Sequence, residues 1–178
     1  SGEVVFNTGL TGYQEILTDP SYAGQIVTMT CPEIGNYGVA AADVESRAPQ
    51  AAGFVMRSES LVASNWRASG PLGAYLAASG VVAIAGLDTR ALTGRLRRGG
   101  AQAGCIVAGP DIDADFAVAQ ARAFGGLTGA DLAKVVSVDG SYEWTGGAWT
   151  LDGFAEPPTP RFRVVAYDFG IKRNILRC

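Results

Sequence analysis

Val4-Val5-Phe6-Asn7-Thr8-Gly9-Leu10-Thr11-Gly12-Tyr13-Gln14-Glu15-Ile16-Leu17-Thr18-Asp19-Pro20-Ser21-Tyr22, with Ile26-Val27-Thr28-Met29 close behind it, is the stretch that sets the fold class. Val4 to Phe6 and Ile26 to Met29 are short runs rich in β-branched and aromatic residues, which read as strands. Gly9 and Gly12 break the first strand, and a short helix follows. Thr11 suits the cap of that helix, with Gln14 reaching back to complete a capping box. Asp19-Pro20-Ser21 is turn chemistry: a carboxylate that accepts from the backbone two residues on, then a residue with its φ preset. Strand, helix, turn and strand within residues 4–29 predict an α/β chain. The polar loop groups, Asn7 and Ser21, are open to two accounts. They either build the turns or hold a ligand.

The alternation continues along the chain. Gly53-Phe54-Val55-Met56, Val81-Val82-Ala83-Ile84-Ala85, Gly104-Cys105-Ile106-Val107 and Arg163-Val164-Val165-Ala166-Tyr167 read as further strands. The run at 81–85 lacks polar alternation, which predicts burial on both faces. Pro71 suits the first turn of a helix that places Leu72, Tyr75 and Leu76 on one face and ends at Gly80. Asp88 is a candidate cap for the next helix, with Leu87 and Leu92 at staple spacing and Leu96 extending the apolar stripe. Arg90, Arg95, Arg97 and Arg98 occupy the rest of that helix, either as a solvated face or as a contact surface. A third helix is expected from Asp113 to Phe124, with Phe116, Ala119 and Ala123 at helical spacing. Cys31-Pro32-Glu33-Ile34-Gly35-Asn36-Tyr37-Gly38 reads as a surface loop, without the Lys or Arg that a phosphate cradle needs. Trp66 reads as a packing residue and Arg67 as pairing locally. Around Glu156-Pro157-Pro158-Thr159-Pro160, three prolines remove backbone donors and predict a linker. Beyond it a strand over 162–169 and a helix start from Ile171 look like the opening βα unit of a second domain.

Composition removes several functional classes. The 178 residues carry a formal net charge of −3, a poor basis for phosphate affinity, so no nucleic-acid partner is expected. No apolar run reaches the ~18 residues of a membrane span, and no signal peptide is visible. The chain opens on Ser1, which predicts further residues ahead of it. Cys31, Cys105 and Cys178 are widely spaced and include no CxxC pair, so neither a disulfide framework nor a zinc site is expected. A reducing, cytoplasmic setting is the simplest reading, with Cys31 and Cys105 as small buried apolar residues. With no histidine in the sequence, neither a Ser-His-Asp triad nor a Cys-His pair can be assembled from these residues, and no metal site is expected.

Seven ordered blocks together carry a resemblance. They are Gly2 to Thr8, Thr11 to Tyr22, Pro32 to Asn36, Ser64 to Arg67, Ile84 to Thr93, Gly100 to Ile106 and Val165 to Arg177. Over almost its whole length the chain resembles the small subunit of glutamine-dependent carbamoyl phosphate synthase. The resemblance implies a mixed α/β amino-terminal domain over residues 1–153, a proline-rich linker over 154–161, and the start of a class I glutamine amidotransferase domain over 162–178. It also implies a strand pair ahead of Gly2. In the family the second domain hydrolyses glutamine with a Cys-His-Glu triad, and ammonia passes to a large subunit. That subunit makes carbamoyl phosphate from bicarbonate and two ATP, for arginine and pyrimidine synthesis.

One binding residue carries over from the resemblance: Ser21, in the Asp-Pro-Ser-Tyr turn, as a glutamine contact. A hydroxyl both donates and accepts, which suits the amino-acid end of glutamine. No catalytic residue carries over. Cys31, Cys105 and Cys178 lack both a glycine-flanked elbow and a histidine to activate them, so the triad is expected beyond residue 178. The resemblance implies the large subunit as partner, glutamine as substrate of the complete subunit, no cofactor on this chain, and ATP with magnesium on the large subunit. Two other classes fit the residues less well. A stand-alone binding module has no use for an unfinished βα unit. An amidotransferase with another acceptor does not account for the blocks ahead of residue 110.

Overall fold

The structure is a computed structural model that describes residues 1–157 and 159–177. Pro158 of the expected linker and Cys178 lie outside the described residues. Among the described residues, nine short strands and six α-helices follow the α/β pattern: β1 Gly2–Asn7, α1 Tyr13–Thr18, β2 Gln25–Met29, β3 Glu33–Ile34, β4 Gly53–Val55, β5 Ser58–Glu59, α2 Leu72–Ala78, β6 Ala83–Ile84, α3 Thr89–Gly99, β7 Gln102–Gly104, α4 Ala114–Ala123, α5 Leu132–Val136, β8 Trp149–Thr150, β9 Gly153–Phe154 and α6 Arg173–Leu176.

The main sheet has the order β6-β4-β2-β1-β7. Its first four strands run parallel, with Val4 opposite Ile26 and Val27 opposite Phe54. β7 joins the other edge antiparallel, with Gly2 opposite Gly104. Parallel neighbours need crossovers, and α1 and α2 supply two of them. Tyr13 and Leu17 of α1 and Leu72 and Leu76 of α2 share one buried cluster with Val27, Met29, Phe54 and Met56. Ile26 is 2% exposed and alternates away from that cluster, while α3 packs on β1 and β2.

Several sequence expectations are corrected. Thr11 does not cap α1: Gly12 does, at φ +82°, a left-handed conformation that suits glycine. Gln14 does not close a capping box; its Oε1 accepts from Ala40 N at 2.8 Å. The caps come instead from Tyr37, whose hydroxyl accepts from Gly12 N at 2.6 Å and Tyr13 N at 3.2 Å while its ring stacks on Tyr13 at 4.2 Å. The Cys31–Gly38 stretch is therefore no plain surface loop, and β3 within it pairs with β5 and buries Ile34.

The run at 81–85 is not buried on both faces. β6 is an edge strand and leaves Ile84 exposed. The strand expected at 104–107 is β7, shifted to 102–104. On α4 the half-buried residues are Ala117 and Ala121, while Phe116, Ala119 and Ala123 face solvent. Trp66 is 76% exposed and not a packing residue. Arg67 pairs with Asp43, a distant residue, and lies over the Trp149 ring at 3.9 Å.

The largest departure is at 162–169, where no strand forms. A strand is stabilised by its neighbours, and among the described residues none runs beside this segment. Val164, Val165 and Tyr167 are more than four-fifths exposed.

Candidate functional site

Ser21 lies in the middle of a short 3₁₀ turn, Pro20–Tyr22, between α1 and β2. Asp19 caps this turn as its sequence predicts: its Oδ1 accepts from Ser21 N at 2.9 Å. The Ser21 side chain is exposed. Asn7, the other candidate, is spent on structure. Its Oδ1 accepts from Gly9 N at 2.7 Å and its Nδ2 donates to the Tyr22 hydroxyl at 2.9 Å. Tyr22 in turn belongs to the Ser21 turn, so Asn7 supports that turn from the end of β1.

The structure brings the segment 168–177 against this turn. Asp19 Oδ2 faces Lys172 Nζ at 3.3 Å. Gly170 has φ +95°, and a Cβ there would stand 2.8 Å from Pro20 Cβ and 2.6 Å from Val136 Cγ2, so only glycine fits. Asp168 shapes this bend. Its Oδ1 accepts from Gly170 N at 2.9 Å and Ile171 N at 2.8 Å, and its Oδ2 accepts from the Tyr142 hydroxyl at 2.6 Å. Burial pushes the Asp168 carboxyl up, but the hydrogen bonds from Tyr142, Ile171 and Gly170 outweigh it and hold it below the usual carboxylate range. The same bond to Asp168, with burial adding to it, pushes the Tyr142 hydroxyl up to about 12.

A cleft of about 260 Å³ opens beside the turn, lined by Pro20, Glu45, Gln50, Val136, Tyr142 and Asp168 among others. Cys31 and Cys105 do not line it. Cys31 and Cys105 are half-buried, not fully buried, and their thiols point to the carbonyls of Glu33 and Ile106. Among the described residues no group of three or more His, Cys, Asp or Glu side chains is placed to hold a metal, and no helix is long and apolar enough to cross a membrane.

The profile of the carbamoyl-phosphate synthase small chain, CPSase domain, matches residues 1–106. The chain belongs to the carbamoyl phosphate synthase small chain family. Its likeness extends past the matched domain. The carbamoyl phosphate synthase small chain of Pseudomonas syringae pv. tomato is 57% identical over 180 residues, 99% of this chain and 48% of that protein. The small chains of Escherichia coli K12 and Salmonella typhimurium are each 57% identical over 99% of this chain and 47% of their own length. The chain thus spans about half the length of the curated relatives it matches.

In this family member, sequence reasoning reached the turn with Ser21 and the block from Val165 to Arg177, but not their meeting. Lys172 and Asp168 carry no local signal that they face residues 19–20 and 142 across the chain.

Proposed function

We propose that this chain is the amino-terminal part of a small subunit that hydrolyses glutamine and passes the ammonia to the large subunit of carbamoyl phosphate synthase. The large subunit, with ATP and magnesium, then makes carbamoyl phosphate from bicarbonate, in the cytoplasm, for arginine and pyrimidine synthesis. Residues 1–153 form the family's own domain in this reading, 154–161 the linker, and 162–178 the start of the glutaminase domain. The observation that carries the reading is the packing of Ser21's turn against the 168–177 segment, through Asp19–Lys172 and the Pro20–Gly170 contact. A substrate between two domains would be reached from both sides there.

Ser21 serves as a glutamine contact and not as a nucleophile, since no histidine exists in these residues to take its proton. The expected outcomes are twofold. The 178 residues alone release no ammonia from glutamine, and in the full-length subunit assembled with its large chain Ser21→Ala raises the KM for glutamine about tenfold, the loss of one substrate hydrogen bond. Glutamine hydrolysis by the 178 residues alone would sink the assignment of chemistry to the second domain.

A further inference from the structure

If the turn with Ser21 and the 168–177 segment form two sides of one site, something must keep them in register. Two of the contacts between them are soft. Lys172–Asp19 is an ion pair with the lysine side chain 42% exposed, where water screens the attraction and weakens it. Gly170 against Pro20 is a close approach without a bond.

Glu45 is different. It is 6% exposed and uses every polar group it has. Its backbone N–H donates to Thr18 Oγ1 at 2.8 Å, and that hydroxyl donates to Gln14 O at 2.8 Å. Thr18 ends α1, directly ahead of Asp19-Pro20-Ser21. The Glu45 carbonyl accepts from Arg173 N at 2.9 Å. The carboxylate reaches the next residue, with Oε2 accepting from Asn174 N at 3.0 Å and Oε1 from Asn174 Nδ2 at 2.7 Å. One residue therefore joins the end of α1 to the first turn of α6.

A carboxylate is costly to take out of water unless its oxygens find donors. Here both oxygens do, on the backbone N–H and the side-chain amide of Asn174. A residue present only to fill space would not carry that charge. Asn174 is in turn bridged to Arg177, whose guanidinium donates to Asn174 Oδ1 at 2.8 Å and to Ala42 O at 3.3 Å.

We propose that Glu45 is a positioning residue for glutamine hydrolysis, clamping the first turn of α6 to the end of α1 so that Ser21 is held at a fixed distance from the second domain. This inference rests on the proposed glutaminase reading.

The test uses the full-length small chain assembled with its large chain, and compares synthesis driven by glutamine with synthesis driven by added ammonia. Added ammonia needs no glutamine site, so it reports folding and assembly. Glu45→Ala is expected to raise the KM for glutamine about tenfold, with kcat changed less than about twofold and ammonia-driven synthesis unchanged. Glu45→Gln keeps one acceptor oxygen, and Asn174→Ala keeps only the backbone donor, so both are expected to fall between Glu45→Ala and wild type. An unchanged glutamine KM in Glu45→Ala overturns the clamp. So does an equal loss with both nitrogen sources in Glu45→Gln and Asn174→Ala, which also stand in if Glu45→Ala does not fold. A wild-type assembly unable to use glutamine at all overturns the glutaminase reading itself, and the clamp with it. A wild type that uses glutamine beside variants of normal KM overturns the clamp alone.

Discussion

Tyr37 is the residue on which local and distant structure meet. Its hydroxyl accepts from two amides at the start of α1, groups that a helix leaves without partners, and its ring covers buried Tyr13. Tyr37→Phe keeps the stack and strands both amides, and is expected to cost about 1–3 kcal/mol in urea unfolding. Burial pushes the hydroxyl of Tyr37 above the ordinary phenol range, and burial together with neighbouring Tyr37 does the same to Tyr13. Both folded-state values exceed the ~10 of an unfolded tyrosine, so this stability is whole below pH ~10 and is lost as pH rises through the folded values. Unfolding free energy should be level between about pH 7 and 9 and fall beyond 10, and Tyr37→Phe should make that fall shallower. At this scale the sequence was a partial guide. Asp19 and Asp88 cap where their local pattern put them, because a cap reads amides two or three residues away. Thr11 and Gln14 matched the capping pattern equally well and do not cap, because Tyr37, distant in sequence, offers Gly12 and Tyr13 a better acceptor.

Among the elements, α3 owes most to its own sequence. It is the longest helix among those described, Asp88 Oδ1 accepts from Ala91 N at 2.9 Å, Leu96 is buried, and Arg97 and Arg98 in the last turn complement the dipole. Asp88→Ala is expected to cost about 1 kcal/mol, read as a shift in the urea midpoint with an unchanged slope. Strands were harder to place than helices. β1, β2 and β4 lie in the middle of the sheet and coincide with apolar runs. β6 and β7 lie at its edges, where one side of the strand makes no ladder, and their apolar runs overstate or misplace them. The strand expected at 163–167 has the composition for one and no neighbour to bond. Composition records what a segment would do with a partner, not whether the partner is there.

At the scale of the whole molecule, the body of the chain and its last residues differ in how they are held. The parallel sheet and its helices bury a shared apolar cluster, whereas residues 162–167 are exposed throughout, with a solvent-facing Arg163–Glu143 ion pair at 3.5 Å, and 168–177 is fastened back by Asp168, Lys172, Asn174 and Arg177. Limited trypsin digestion of the 178 residues should therefore cut first at Arg161 or Arg163, ahead of Arg95, Arg97 or Arg98 in helical α3, with mass spectrometry identifying the first fragment. Early cleavage within α3 would contradict this ordering of stability. The candidate site was legible in its parts because each part is a short motif. Its assembly was not, because contacts such as Glu45 with Asn174 span most of the chain and leave no periodic trace.

The bare segment at Phe162 to Tyr167 also has a practical meaning. Four of its six side chains are β-branched or aromatic, its backbone amides are not taken up in a sheet, and it is the kind of stretch that finds its missing neighbour in another molecule. Solutions of these 178 residues should cloud as they are concentrated, through edge-to-edge pairing of such segments. Val165→Lys, at a position 87% exposed and remote from the buried cluster, should keep them clear without altering the melting temperature.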